Sequence, residues 1–176
     1  MKNSREQNIC RYIDYLRKNC RLKVTIHPKD PRIFHFFKPF FKYNTHESPY
    51  CIHIKSCVNA YKHCIERQDK IIKKCKEGSF CGSCYAGVFE FIYPIEFSGE
   101  IFGFISVGGY KSEKYSEYLK AVAQKYQHTY SNLLESYERL EGTIPLKSKI
   151  DTLLLPLCDM FSILIYENLN KNVQIM

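Results

Sequence analysis

Apolar side chains along this chain keep changing their period, and each change marks a new element. Ile9, Tyr12, Ile13, Leu16 and Cys20 fall at steps of three and four, the stripe of an amphipathic helix over Glu6 to Cys20. Between Leu22 and His27 the pattern switches to alternation, which predicts a strand closed by Pro28 and by Asp30-Pro31. Five phenylalanines then crowd the nine positions from Ile33 to Phe41. Such a cluster is costly to expose, so it belongs to the core beside a sheet, or some of its rings wall a pocket. Ser56 to Lys76 reads as a helix with Cys57, Tyr61, Cys64, Gln68, Ile71 and Cys75 along one line, ended by Glu77-Gly78. Two alternating strands follow, Val88 to Pro94 and Glu100 to Tyr110, joined by the turn Ser98-Gly99. On the first of them Phe89, Phe91 and Tyr93 point one way, and Val88, Glu90 and Ile92 the other.

The last third is helical. Its stripes are Tyr115, Leu119, Val122 and Tyr126, then Leu133, Leu134, Tyr137 and Leu140, which stops at Gly142. The third comprises Ile150, Leu153, Leu154, Leu157, Phe161, Leu164 and Ile165, with Pro156 expected to kink its helix. Helix, strand, helix, hairpin and helices in that order predict an α+β domain, a central antiparallel sheet covered by helices.

A chain of 176 residues, 45% hydrophobic and without an internal repeat or low-complexity linker, is sized for one domain over 1–176. No run approaches the roughly twenty apolar residues that span a bilayer. Met1 to Glu6 lacks the apolar stretch of a signal peptide, so the expected location is the cytoplasm. Nine cysteines there stay mostly reduced, and their odd number argues against a complete disulfide framework. The net charge of +8 is spread along the chain with only short clusters such as Lys70, Lys73, Lys74 and Lys76. That is the pattern of a solvated basic face, and direct nucleic-acid binding is not expected.

Candidate chemistry centres on cysteine and one acid. Cys81-Gly-Ser-Cys84 is a lone C-x-x-C; a metal would need two further ligands, for which Cys51, Cys57, Cys64 and His53 are nearest. Cys57 and Cys64 lie about 10 Å apart along an unbroken helix. That exceeds the roughly 7 Å a disulfide bridges. Metal binding, thiol redox sensing and simple burial all stay open. Glu90 shares a strand with Phe and Ile residues, so its carboxylate needs a partner, or a hydroxyl from a ligand, if that face is buried. His53 follows Cys51 by two positions and could share one face of a strand with it. No Ser-His-Asp order, carboxylate pair or phosphate-binding glycine loop is present, and Val107-Gly108-Gly109-Tyr110 lacks the strand-to-helix setting of a nucleotide site. An enzyme is not expected.

An ordered set of features adds to this reading: Tyr50-Cys51, Cys64, the turn Cys84 to Gly87, Glu90 with Pro94-Ile95, and the glycines of Glu100 to Tyr110. In these the chain resembles the PocR sensory domain, a ligand-binding module of bacterial and archaeal regulators. The resemblance implies a PAS-like sheet with helical extensions, a core over about 20–112 and signalling or dimerisation helices over 113–170. It further implies a small hydrocarbon derivative, such as an alcohol or diol, as ligand. The expected ligand-binding residues are Cys51, Cys64, Cys84, Tyr85, Glu90, Phe91 and Phe104. Expected partners are a second copy or an output module, such as an AraC-type DNA-binding domain or a histidine kinase, and no output domain is expected in this chain. Tyr85 stands where histidine is frequent in the family, which weakens a metal reading. The alternative is a cysteine-based metal or redox sensor, with Cys51, Cys64, Cys81 and Cys84 as ligands of the possible metal ion.

Overall fold

The computed structural model describes residues 5–113 and 115–171, without the side chains of 115–118 and 171. Met1 to Ser4, part of the stretch read for a signal peptide, and the side chain of Tyr115, first in its stripe, lie outside the described residues. The chain begins with α1 (Arg5–Lys18) and β1 (Lys23–Pro28). The phenylalanine segment forms two 3-10 turns around the short α2 (Phe34–Phe37). After α3 (Pro49–Lys55) and α4 (Val58–Cys75) come β2 (Phe80–Ser83), β3 (Val88–Phe97) and β4 (Glu100–Lys111), then α5 (Tyr115–Tyr126), α6 (Tyr130–Glu138) and α7 (Lys147–Lys171). The strands form one antiparallel sheet in the order β1-β4-β3-β2, so the expected α+β class is what is observed. No described helix is long and apolar enough to cross a membrane.

Because opposed residues in antiparallel strands share a face, the register divides the sheet cleanly. Val24, Ile26, Phe91, Tyr93, Ile105 and Val107 make one face, packed with α1, α7 and Phe36, Phe37 and Phe40 into the main core. Thr25, Glu90, Ile92, Phe104 and Ser106 make the other, on the side where α4 lies. Phe34 and Phe41 remain substantially exposed and meet each other edge to face. A second apolar cluster joins α3 to α5, α6 and the start of β3, with Tyr50 against Tyr137.

Two local devices shape the sheet. Ser98 (φ 51°) and Gly99 (φ 79°) both adopt the left-handed conformation, which gives the β3–β4 hairpin the turn whose twist matches its strands. Further along, Phe89 opposes Tyr110 while Phe91 opposes Val107, so Gly108 and Gly109 together face the single residue Glu90. This is a β-bulge, with Gly109 at φ 93°.

Two readings from the periodicity need correction. The segment holding Cys51 and His53 is helix α3, not strand: Ser48 caps it by accepting from the Cys51 N–H at 3.2 Å, and Pro49 opens its first turn. The inward line of α4 keeps Cys64, Ile71 and Cys75 of the expected one but runs through Ala60 in place of Tyr61 and takes in Arg67 beside Gln68. Ala60, Cys64, Arg67, Ile71 and Cys75 face inward or sit half-buried, while Tyr61 is 52% exposed and Cys57, at the N-cap, packs half-buried against the second apolar cluster. Alanine at 60 is what allows the approach, since the Tyr85 hydroxyl donates to the Ala60 carbonyl at 2.9 Å.

Candidate functional site: a lined cavity between sheet and helices

Between the polar face of the sheet and helices α3 and α4 lies a cavity of about 560 Å³. That is within the roughly 300–1,000 Å³ range of small-molecule sites. Its walls come from separate parts of the chain: Thr25 on β1, His46 from the loop after the phenylalanine segment, Cys51 on α3, Cys64 and Arg67 on α4, and Glu90 on β3. The turn between β2 and β3 closes it with Cys84, Tyr85 and Ala86. Of the seven expected ligand residues, Cys51, Cys64, Cys84, Tyr85 and Glu90 therefore line one cavity.

Phe91 and Phe104 do not. Phe91 follows Glu90 by one residue, so strand alternation turns it to the opposite face, where it packs in the main core. Phe104 keeps to the cavity's side of the sheet but fills its far end with Ile71, Cys75 and Ile92, stacked on His27 with ring centres 4.5 Å apart. His53 points elsewhere, toward α6, with its Nδ1 3.2 Å from the Ser136 hydroxyl.

The centre of the site is an ion pair. Glu90 is 3% exposed and its carboxylate accepts from the Arg67 guanidinium. Burial works against the charge on Arg67, but the Glu90 carboxylate, by its charge and hydrogen bond and with the neighbouring sulfurs adding to it, holds the guanidinium above its usual range. The bulge makes this geometry possible. A Cβ on Gly108 would stand 3.2 Å from the Glu90 Cβ, so glycine here lets the Glu90 stem lie against β4 without crowding.

Beside the pair lies a neutral hydrogen-bonded patch. Thr25 Oγ1 is 2.9 Å from Ser106 Oγ, 3.0 Å from His27 Nε2 and 3.0 Å from His46 Nε2, which in turn is 3.1 Å from Ser106 Oγ. Burial lowers both imidazoles, and for His27 the neighbouring His46 and Lys55 lower it further. Neither imidazole carries a proton's charge near neutral pH.

The thiols belong to the wall. Burial pushes Cys84 up to about 12, with Glu90 adding to the effect, and burial also raises Cys51. Such thiols are poor nucleophiles and poor metal ligands, because both roles need the thiolate. The four cysteines named for a metal do not converge. Cys81 pairs opposite Phe91 while the Cys84 N–H bonds the Val88 carbonyl, so a three-residue step along the strand sends the two side chains to opposite faces. Cys81 is exposed. Among the described residues no three His, Cys, Asp or Glu side chains are grouped to hold a metal ion.

Sequence reasoning missed three residues of the cavity wall, Thr25, His46 and Arg67, and Ser106, which is buried behind Thr25 and His46. Ser106, a polar residue inside the apolar run Phe102 to Val107, was the available signal. Arg67 is the neighbour of Gln68, through which the expected α4 stripe runs, and His46 sits in a loop where no period applies.

No curated protein and no solved structure matches the chain. The family model of the sensory domain found in PocR matches residues 37–164. That span begins in the phenylalanine segment and ends in α7, so it takes in the ion pair, the thiols and the glycine bulge. The cavity wall outside it comes only from α1, β1 and the turn between them. With most of its length inside this match, and with every expected motif residue from Tyr50 to Tyr110 inside it, the chain belongs to the PocR sensory-domain family.

Proposed function

We propose that this sensory domain binds a small hydroxylated hydrocarbon, an alcohol or diol, in the cavity between the sheet and helices α3 and α4. The observation that carries the reading is the buried pairing of Glu90 with Arg67. The two charges cancel, which disfavours a further ion at that point, yet they leave an acceptor and several N–H donors side by side. A hydroxyl group is donor and acceptor at once and answers both. Cys51 and Cys84, as protonated thiols, then serve with the Cys64 side chain as small apolar wall for the carbon chain.

Signalling follows from where the pair stands. Glu90 lies on β3, and α7 packs on the opposite face of that same strand. A ligand that favours one setting of the bulge and of α4 shifts the population of sheet–helix packings, and α7 carries the difference to a second copy or to an output module such as an AraC-type domain or a histidine kinase. The fold needed for this is the PAS-like arrangement that the family resemblance implies.

The test is thermal unfolding of the protein with a series of linear alcohols and diols. A ligand at one hundred times its Kd adds about 2.7 kcal/mol. At roughly 2–4 °C per kcal/mol for a chain of this size, that raises the melting temperature by several degrees. Cys84→Phe, which fills the cavity, is expected to abolish the rise, with Cys84→Met as the milder variant should the first fold poorly. An alcohol that stabilises the wild type and these variants equally would place binding elsewhere.

A further inference from the structure

Four cations line the mouth of the cavity without an ion-pair partner among the described residues: Lys18, Arg21, Lys23 and Lys55. The acids on the same wall are mostly engaged. Glu90 holds Arg67, Glu47 pairs with Arg17 at 2.6 Å, and Asp14 accepts from the Tyr43 hydroxyl at 2.8 Å. Glu141, at the exposed rim, is the remaining one. The cavity thus has a charge-neutral centre and a positive excess at its mouth, where these four cations outnumber Asp14 and Glu141, the two lining acids without an ion pair among the described residues.

The Lys23 side chain lies over Gly109. A side chain at Gly109 would stand 2.6 Å from Lys23 Cδ and 3.2 Å from its Nζ, so the missing Cβ is the space in which the lysine stem lies. Gly109 belongs to the same bulge that makes room for Glu90, and Lys23 opposes Gly108 in the β1–β4 ladder. One irregularity in β4 therefore lies against both Glu90 of the inner ion pair and the Lys23 side chain. Lys55, on α3, lines the same cavity from the helical wall, and after burial its positive field helps lower the His46 imidazole inside.

We infer that the ligand is amphiphilic in a specific sense: besides the hydroxyl that meets Glu90 and Arg67, it carries a carboxylate that Lys23 and Lys55 hold at the mouth. The inference rests on the reading that this cavity is the ligand site. An unpaired ammonium gains a charge-assisted hydrogen bond from an anion and none comparable from a second hydroxyl, so the preferred class is a hydroxy acid over a diol. Lys23 and Glu90 stand on β1 and β3 with β4 between them, which separates their backbones by about 10 Å and sets the length of the molecule that reaches both.

The experiment compares ω-hydroxy acids of about four to eight carbons, lengths suited to that gap, with α,ω-diols of the same lengths. Binding is read by calorimetry on the full chain. At the best length the acid is expected to bind at least about tenfold more tightly than its diol, the gain of one charge-assisted contact. Lys23→Met should weaken the acid at least about tenfold more than it weakens the diol. Equal affinity of acid and diol at every length, or equal loss of both in Lys23→Met, overturns the carboxylate while leaving the alcohol reading intact. Failure of every acid and every diol to bind overturns both.

Discussion

Arg67→Met is expected to destabilise the protein by about 3–5 kcal/mol, a large part of the stability of an ordinary domain. The cause is the carboxylate left behind. Glu90 has a side-chain exposure of 4%, on a strand covered on both sides, and no described residue besides Arg67 makes an ion pair or hydrogen bond with its carboxylate. Removing the guanidinium leaves an uncompensated buried charge; removing both charges does not. The double variant Arg67→Met, Glu90→Met is therefore expected to recover most of the loss, because apolar side chains of similar size often replace a buried pair without cost. Urea unfolding of the two single variants and the double one checks this. A single variant within about 1 kcal/mol of the wild type would mean that the pair behaves as a solvent-screened contact.

Gly103→Ala is the second large effect, through packing alone. Its new Cβ would lie 2.4 Å from the His27 carbonyl oxygen and 3.0 Å from the Pro28 Cα, both backbone atoms of the neighbouring strand. Neither can swing away as a side chain would, so β1 and β4 must part. The expected cost is about 1–3 kcal/mol, read as a fall in melting temperature. Gly82→Ala is the control: nothing lies within 4 Å of its added Cβ and its φ is not positive, so it should change stability by about 0.5 kcal/mol at most. Equal behaviour of the two variants would contradict the close approach of β1 to β4.

Much of this site could be read in the chain before any coordinates. The hairpin was legible because Ser98-Gly99 is a local signal that needs no tertiary context, and alternation from Val88 onward put Glu90 on a different face from Phe91. The same alternation turns Phe91 away from the cavity and into the main core. Helix α3 escaped notice because seven residues are too few for a periodic stripe, so its only mark was Ser48-Pro49 at the start. The C-x-x-C looked like a metal knuckle only on the supposition that its cysteines share a side; in a strand, a step of three separates them. Arg67 and His46 are a different kind of miss. Each is polar and meets its partners, Glu90 and Thr25, from a distant element, so only the folded chain brings the pairs together.

The most direct test is a crystal structure of the protein grown with the tightest binder of the alcohol, diol and hydroxy-acid series. The expected density lies between the sheet and α4, with a hydroxyl oxygen in hydrogen-bond reach of both Glu90 and Arg67. Ligand density on another surface, with the Glu90–Arg67 face closed over by side chains, would contradict the account.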